Sequence, residues 1–377
     1  MKEKLIHFFK EETVLCAALA LAALSMLLVH PDVEYLSYID FRTLAILFCL
    51  MGAMAGLQKT GVFQWIAQAL LARVRETRQL VWILILLCFF SSMAVTNDVA
   101  LITFVPFTFT VLRLIGPEAG RRLMVPIVVL QTVAANLGSM LTPIGNPQNL
   151  YLYGKAGLSL GSFLLLMLPY TCVSFLLILL QSTLQTRTYN VPIQVSFHEQ
   201  ARLRGKEVRL AGYLVLFVVD LLTVARVLPY GLTLFITIIG LLILDRSIFA
   251  RVDYSLLLTF VGFFVFIGNM GRLPVFYEFL QKIVSGHEFL AGAAASQVIS
   301  NVPAALLLSG FTDNLAPLII GVNIGGLGTL IASMASLISS KFVAREEPGM
   351  KGPYFRQFTV TNVCFLAVLL VFTLVLG

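Results

Sequence analysis

Apolar segments separated by short polar connections run through most of this chain. Many of them are about 20 residues long, which is the length a helix needs to cross the apolar core of a bilayer. The pattern predicts an all-α polytopic membrane protein. The predicted crossings are residues 13–30, 41–57, 123–150, 162–184, 210–228, 232–244, 254–270, 315–340 and 358–376.

Two further apolar segments, residues 79–112 and 289–311, are interrupted near their centres by hydroxyl and amide side chains. The first interruption reads Ser-Met-Ala-Val-Thr-Asn-Asp from Ser92, and the second reads Ser-Gln-Val-Ile-Ser-Asn-Val from Ser296. Arginines flank the first segment at both ends, which places both ends on one side of the membrane. Both segments are therefore predicted to be re-entrant helical hairpins.

Each predicted hairpin is followed by a helix that glycine and polar residues break. Residues 135–149 read ANLGSMLTPIGNPQN, and residues 322–336 read VNIGGLGTLIASMAS. The aligned stretches share asparagine at 136 and 323, glycine at 138 and 325, threonine at 142 and 329, and isoleucine at 144 and 331. Two copies of a broken, polar membrane segment are typical of the binding site of a secondary transporter.

Composition and charge support a membrane protein and predict its orientation. Hydrophobic residues make up 59% of the chain, and charged residues make up 12%. With the N-terminus inside and the C-terminus outside a cytoplasmic membrane, most of the 26 lysines and arginines fall on the cytoplasmic side, as the positive-inside rule expects. This threading inverts the second repeat relative to the first. The net charge of +7 is then an orientation signal and does not predict nucleic-acid binding. The basic residues left outside or near the outer edge are Arg42, Lys155, Arg226, Arg272 and Lys282.

The same pattern predicts the division of the chain. The first inverted repeat covers residues 41–184, with hairpin 79–112, broken helix 123–150 and a following span. The core of the second repeat covers residues 254–340, with hairpin 289–311 and broken helix 315–340. The other parts are an N-terminal span (1–40), a cytoplasmic linker (185–209), connecting spans (210–253), and a C-terminal loop and span (341–377).

A helix that breaks inside a bilayer has unpaired backbone groups, which are tolerated only beside protein or a water-filled cavity. Freed carbonyl and hydroxyl oxygens suit hard cations, whereas helix N-termini favour anions. One oxygen-rich shell in each repeat is therefore a candidate cation site. The shells are Ser92, Thr96, Asn97 and Gly145 in the first repeat, and Ser296, Ser300, Asn301 and Ala332 in the second.

The residues needed for catalysis or transition-metal binding are not clustered. The five cysteines and four histidines are scattered along the chain, without the spacing of a metal site or a nucleophilic triad. The protein is therefore predicted not to be an enzyme. Its predicted coupling ion, sodium or a proton, would need no other cofactor.

The two Ser-x-x-x-(Ser/Thr)-Asn hairpins, with Thr-Pro-Ile-Gly-Asn-Pro-Gln-Asn at residues 142–149, resemble the ion-transporter superfamily. This superfamily includes divalent anion:sodium symporters, CitM-type permeases and ArsB arsenite permeases. The resemblance implies a scaffold domain, a transport domain with both hairpins, an elevator-type mechanism and often a homodimer. It also implies cation ligation by the two shells. The residues that it implies for substrate contact are Asn97, Asn146, Pro147, Asn301 and Ser333.

Two acidic residues add alternatives. Asp98 stands where the carboxylate symporters have threonine, so this part of the chain looks closer to the arsenite permeases. Asp98 is predicted at the substrate site, either as a site for the coupling ion or proton or as a helix-capping acceptor. Asp220 lies near the middle of span 210–228, where it is either a proton site or a structural group paired toward Arg226.

The sequence therefore predicts a permease that moves a small anion, such as a di- or tricarboxylate, together with sodium or protons. Two alternatives stay open. The first is an efflux permease for arsenite or antimonite, which could serve an ATPase partner. The second is a sodium/proton antiporter that uses Asp98 and the hydroxyl shells.

Overall fold

The structure is a computed structural model that describes residues 12–187, 189–193, 197, 203 and 205–376. Within these ranges the regular secondary structure is helical, apart from one isolated bridge between Glu76 and Pro192. Seven of the described helices are long and apolar enough to cross a membrane. The predicted class, an all-α polytopic membrane protein, is confirmed.

The first part of the chain forms the first hairpin and the first broken helix. Gly61 ends one long helix in a left-handed conformation with φ of 84°, which glycine adopts at little cost, and the chain turns there into a short helix. The helices in this part are α1 (Thr13–Leu28), α2 (Tyr35–Tyr38), α3 (Phe41–Thr60), α4 (Val62–Leu71), α5 (Thr77–Ala94), α6 (Asn97–Leu114), α7 (Pro117–Ser139), α8 (Pro147–Lys155) and α9 (Leu160–Thr186).

The second part begins with two connecting helices and then repeats the element order that starts at α3. Its α-helices are α10 (Glu207–Val224), α11 (Tyr230–Leu244), α12 (Tyr254–Gly271), α13 (Pro274–Val284), α14 (Glu288–Ile299), α15 (Asn301–Ser309), α16 (Leu315–Ile324), α17 (Met334–Glu346) and α18 (Lys351–Leu376). Short 3-10 helices lie at Arg246–Arg251, Leu330–Ala332 and Pro348–Met350. The pattern of apolar segments assigns no element to residues 274–284, where α13 is the counterpart of α4.

Both predicted hairpins consist of two packed helices with a tight connection. Val95 and Thr96 join α5 to α6, and Ser300 alone joins α14 to α15. Helices α5 and α6 have 18 residues each, which is about 27 Å of helix. Helices α14 and α15 have 12 and 9 residues and are too short to cross a bilayer alone. The re-entrant path of the hairpins stays a prediction.

Packing divides the helices into two groups. Helix α1 packs on α12, and α10 and α11 pack on α3. The hairpin helices pack instead on the broken helices, with α5 and α6 against α7 and with α14 and α15 against α16. The groups touch where α3 meets α8 and where α12 meets α15. A scaffold domain and a transport domain would need this arrangement.

The start of the predicted linker, residues 185–209, is attached to the first hairpin. The Thr77 N–H donates to the Val191 carbonyl at 3.1 Å, and the Ile193 N–H donates to the Arg75 carbonyl at 2.9 Å. Much of the remaining linker, and residues 1–11 of the predicted N-terminal span, lie outside the described residues. The described part of the linker therefore follows the start of α5.

Candidate functional site

Both broken helices resume at a polar N-cap. Before α8, Asn146 Oδ1 accepts a hydrogen bond from the Asn149 N–H at 2.9 Å. Before α17, Ser333 Oγ accepts a hydrogen bond from the Ala335 N–H at 3.3 Å. Asn146 and Ser333 are equivalent in the aligned repeats, so the two breaks end in the same way.

Each break also binds an asparagine of the other repeat. Ser333 Oγ donates to Asn136 Oδ1 at 2.8 Å, and Asn146 Nδ2 donates to Asn323 Oδ1 at 3.1 Å. Asn136 in α7 and Asn323 in α16 are themselves equivalent residues. All four side chains are at most 4% exposed. The two halves therefore meet in one buried polar cluster with approximate twofold symmetry.

The tip of the first hairpin joins this cluster. The Asn97 N–H donates to the Gly145 carbonyl at 3.0 Å. The Asn97 Nδ2 donates to Asn136 Oδ1 at 3.2 Å. Pro147 is buried beside them as the first residue of α8. The structure thus brings together the residues predicted in the first repeat around Asn97, Gly145 and Asn146.

The tip of the second hairpin lies on the second break in a similar way. Ser300 Oγ donates to the Ala332 carbonyl at 3.5 Å. Asn301 begins α15, is 4% exposed, and lies so close to Gly326 that a Cβ there would be 2.9 Å from Asn301 Nδ2. Ser300 itself has φ of 72° and ψ of 155°, a backbone conformation that residues other than glycine rarely adopt.

Glycines explain how the first helix of each hairpin approaches its broken helix so closely. A Cβ at Gly138 would lie 2.1 Å from the Phe89 carbonyl oxygen and 2.6 Å from Ser92 Oγ. A Cβ at Gly325 would lie 2.9 Å from the Cβ of Ser296. Contacts this short exclude any side chain. The equivalent glycines therefore fix the two hairpins against the two breaks.

Comparison with known proteins decides the family. Residues 8–318 match the citrate transporter family. An uncharacterized transporter of Methanocaldococcus jannaschii is 31% identical over 312 residues, which is 83% of each chain. The chain belongs to the citrate transporter family. The predicted resemblance is thereby confirmed, and this member of the family is a membrane transporter.

Two further relatives of this citrate transporter family member have names that state a membrane location or a transported solute. Inner membrane protein YbiR of Escherichia coli is 31% identical over 308 residues, covering 80% of this chain and 79% of YbiR. The silicon efflux transporter of Oryza sativa subsp. japonica is 34% identical over 157 residues, covering 41% of this chain and 31% of that protein. The second match is therefore local.

Three of the four hydroxyls in the predicted cation shells bond to the backbone of their own hairpin helices, and the fourth, that of Ser300, donates to the Ala332 carbonyl. Ser92 and Ser296 are fully buried, and each donates to the carbonyl three or four residues earlier, at 2.9 and 2.7 Å. The Thr96 hydroxyl caps α6 by accepting from the Val99 N–H at 3.4 Å. A hydroxyl oxygen that donates its hydrogen still has lone pairs for a cation. Cation binding by these residues stays a prediction.

Asp98 lies in the first turn of α6, beside the cluster of this family member. Its N–H donates to Asn97 Oδ1 at 2.9 Å. Its carboxylate Oδ1 is buried and has no hydrogen-bond partner among the described residues. Because Thr96 caps α6, the described contacts give Asp98 no capping role. Binding of a coupling ion or proton is the alternative that stays predicted.

Asp220 lies outside the cluster. It is fully buried in α10, where Thr237 of α11 donates to its Oδ1 at 3.4 Å. Arg226 donates instead to the carbonyls of Gly157 and Tyr153, so the predicted pairing with Asp220 does not form. Helix α10 packs on α3 and α11. Asp220 therefore belongs to the group of helices that excludes the hairpins.

Gln297 and Asn149 were not predicted at the site. Their side-chain amides donate to backbone carbonyls that the breaks leave without helical hydrogen bonds. Gln297 Nε2 donates to the carbonyls of Gly325 and Leu327 at 2.7 and 2.9 Å. Asn149 Nδ2 donates to carbonyls of the first break, including that of Thr142 at 3.2 Å. A glutamine within an apolar hairpin helix was the available signal, but its partners lie 28 and 30 positions away.

A third amide and the charge of the cluster complete the site. Gln148 is 1% exposed, and neither its Nε2 nor its Oε1 has a hydrogen-bond partner in the described part of the chain. The described hydrogen bonds among the caps, the tips and the asparagines involve amides, hydroxyls and backbone groups. Lysine and arginine side chains take no part in those bonds, whereas the carboxylate of Asp98 lies beside them.

Proposed function

We propose that this member of the citrate transporter family is a secondary active transporter for a small anion, such as a di- or tricarboxylate. Sodium or protons would be the coupling ion. The observation that carries the proposal is the buried cluster in which both hairpin tips and both broken helices meet. A site built from equivalent elements of two repeats suits alternating access, because either repeat can open while the site stays intact.

The ends of the helices suit both an anion and a cation. Helices α6, α8, α15 and α17 all begin at the cluster, and helix N-termini carry partial positive charge that favours anions. We propose that the substrate contacts Asn97, Asn301, Asn146, Pro147 and Ser333. One cation would bind Ser92, Thr96, Asn97 and the Gly145 carbonyl, and a second would bind Ser296, Ser300, Asn301 and the Ala332 carbonyl.

The two packing groups support an elevator-type mechanism. The hairpins and broken helices would move as a transport domain against a scaffold that includes α1, α3 and α10 to α12. Short helices α4 and α13 lead from the scaffold into the two hairpins and would serve as flexible arms. We further propose a homodimer in the cytoplasmic membrane, with the N-terminus inside, the C-terminus outside and the two repeats inverted.

A cavity between the two groups supports access of an anion from the outer side. Its volume is about 330 Å³, and Arg42 of α3 and Lys155 of α8 line it. Lys155 lies at the end of α8 opposite the cap Asn146. Asp40 also lines the cavity, but its carboxylate caps α3 by accepting from the Thr43 N–H. The cavity would therefore guide an anion toward the cluster.

Transport by purified protein in liposomes tests the proposal. Radiolabelled citrate and succinate should accumulate under an inward sodium or proton gradient. N97A and N301A should abolish this uptake, whereas S340A, in the described part of α17 beyond the cluster, should retain it. Wild-type uptake by both asparagine variants would contradict the proposed site. Absence of gradient-dependent uptake of either acid would contradict the proposed substrate class.

An efflux permease for arsenite or antimonite is the second candidate. The carboxylate of Asp98 would repel a multiply charged anion. The hydroxyl and amide groups of the cluster suit a neutral solute that carries hydroxyl groups, such as arsenous acid. The relative from Oryza sativa named as a silicon efflux transporter agrees with this chemistry. Extrusion of arsenite or silicic acid from everted vesicles, without uptake of carboxylates, would support it. An ATPase partner is part of this candidate alone.

A sodium/proton antiporter is a third candidate, favoured by the unpaired carboxylate oxygen of Asp98. It would exchange sodium for protons with no organic or metalloid solute present. A pH-sensitive dye trapped in liposomes would report this exchange directly. Asp98 would bind the two ions in turn, whereas Asp220, which lies outside the cluster, would contribute less.

A further inference from the structure

The two copies of the asparagine contact differ in how completely they are paired. In the second copy, Asn323 Oδ1 accepts from Asn146 Nδ2. The Asn323 Nδ2 donates to Asn149 Oδ1 at 2.6 Å and to the Ile319 carbonyl at 2.7 Å. The amide of Asn323 is therefore satisfied by protein groups alone.

Asn136, the equivalent residue, is only half paired. Its Oδ1 accepts from Ser333 Oγ and from Asn97 Nδ2. The orientation is fixed, because Asn97 Oδ1 accepts from the Asp98 N–H and Asn97 must therefore present its Nδ2 to Asn136. The Asn136 Nδ2 has no hydrogen-bond partner in the part of the chain that the structure describes, although the residue is only 4% exposed.

The residue at position 336 accounts for this difference. Ser336 is equivalent to Asn149, and each lies three residues after its cap, Ser333 or Asn146. A serine side chain is shorter than that of asparagine, so it does not form the bond that Asn149 makes in the second copy. Ser336 is fully buried, and its Oγ also has no partner among the described residues. Because the equivalent Asn323 and Asn149 are in contact, we expect Asn136 and Ser336 to lie side by side, and two unpaired buried polar groups are costly unless a ligand pairs them.

We infer that Asn136 Nδ2 and Ser336 Oγ bind an oxygen atom of the transported solute. The inference rests on the proposed transport function. Both groups can donate a hydrogen bond, so their partner is a carboxylate, oxyanion or hydroxyl oxygen. The equivalent amide of Asn323 already bonds to Asn149 and has no free donor. The solute is therefore held on one side of the approximate twofold axis, in a single orientation.

The variant S336N tests the inference, because it places at position 336 the same side chain as Asn149, whose Oδ1 accepts from Asn323 in the second copy. The new side chain should accept from Asn136 Nδ2, so that the melting temperature stays equal or rises while solute uptake falls by about tenfold. S340N, with the same substitution four residues further along α17, is the matched control and should transport normally. Uptake is measured in liposomes with citrate, succinate, arsenite and silicic acid, and the solute that the wild type moves fastest is used.

Two milder variants keep the test decisive if S336N does not fold. S336A should raise KM for the same solute by about threefold or more, and S336T, which keeps a hydroxyl, should not. Wild-type uptake by folded S336N, or equal KM values for S336A and S336T, would overturn the inference alone. If the wild type moves none of the four solutes, the proposed function fails and the inference fails with it.

Discussion

Gln297 Nε2 donates to the Gly325 carbonyl at 2.7 Å and so fastens the second broken helix to its hairpin. The same side chain pairs with Leu327 and, through Oε1, with the Thr329 N–H at 2.9 Å. The equivalent residue of the first hairpin is Met93, which cannot replace these bonds. The second break therefore depends on one glutamine for several of its backbone groups.

The variant Q297M should lower the melting temperature, because each buried polar group left unpaired costs about 1 to 3 kcal/mol. Uptake should fall with stability, since the break that carries Ala332 and Ser333 would lose its support. Thermal unfolding in detergent and uptake in liposomes measure the two effects. Q64M, the same substitution at an exposed position of α4, is the control. An unchanged melting temperature for Q297M would contradict the fastening role.

The Ser333–Asn136 bond predicts that two substitutions at Ser333 differ in their effect on stability. S333A removes both the cap of α17 and the bond between repeats, and should cost about 1 to 2 kcal/mol of stability. S333N introduces the residue that caps α8 in the first repeat, so it should retain most of the stability that S333A loses. Chemical denaturation of the two variants checks the order. Equal destabilisation by both would show that the cap does not act through its polar side chain.

The left-handed conformation of Ser300 predicts a gain in stability on replacement. S300G should stabilise the protein by about 1 kcal/mol, because glycine adopts a positive φ without strain. The same variant removes a hydroxyl of the proposed cation shell, so the sodium concentration for half-maximal uptake should rise. T96G is the matched control at the first tip. It should destabilise the protein, because Thr96 has φ of −62° and caps α6. A drop in stability for S300G would contradict the claim that the backbone of Ser300 is strained.

The position of Asp98 predicts that its substitution abolishes ion-coupled accumulation of the solute but not exchange of the solute. D98N should retain solute exchange between liposomes and medium but lose accumulation driven by sodium or proton gradients, because the acid beside the cluster would no longer bind the coupling ion. D220N is the comparison, and it should keep gradient-driven accumulation because Asp220 lies outside the cluster. Counterflow and gradient-driven uptake measure the two activities. Loss of accumulation in D220N but not in D98N would reverse this assignment.

A charged contact at the end of α17 predicts a pH-dependent stability effect. Hydrogen bonds from Arg113 and Arg345 hold the pKa of Glu346 below its ordinary value of 4.5. A lowered pKa in the folded state means that the stabilisation is present above that ordinary value and is lost as pH falls through the folded value. E346Q should therefore lower the melting temperature slightly at pH 7, and this effect should shrink as the pH falls below 4.5. E347Q is the control, and at pH 7 it should change the melting temperature less than E346Q does, because the ion pairs with Arg113 and Arg345 belong to Glu346.

Much of the fold was predictable, because the length of an apolar segment and a repeated polar motif are local features that indicate individual helices and hairpins. The interrupted segments 79–112 and 289–311 match the outer ends of α5, α6, α14 and α15 to within two residues. Asn146 and Ser333 were predicted as substrate contacts from the resemblance, but not as helix caps. The bonds between the repeats were not predictable. Ser333 and Asn136 are separated by 197 positions, and no local pattern or propensity indicates that Ser333 bonds to this asparagine. Helix α13 was not predicted, because its polar face interrupts the apolar pattern.

The hydrogen bonds between each cap residue and the other repeat also affect how the protein is assembled during synthesis. During synthesis, Asn146 emerges long before Asn323, which lies 177 positions later in the chain. Until the second repeat is inserted, Asn146 and Asn136 lack their hydrogen bonds to Asn323 and Ser333, and incompletely paired polar groups are unfavourable in lipid. The first repeat made alone should therefore be a short-lived species that cellular quality control removes. The complete site can therefore form only after both repeats have been inserted, because each repeat supplies hydrogen-bond partners to the other.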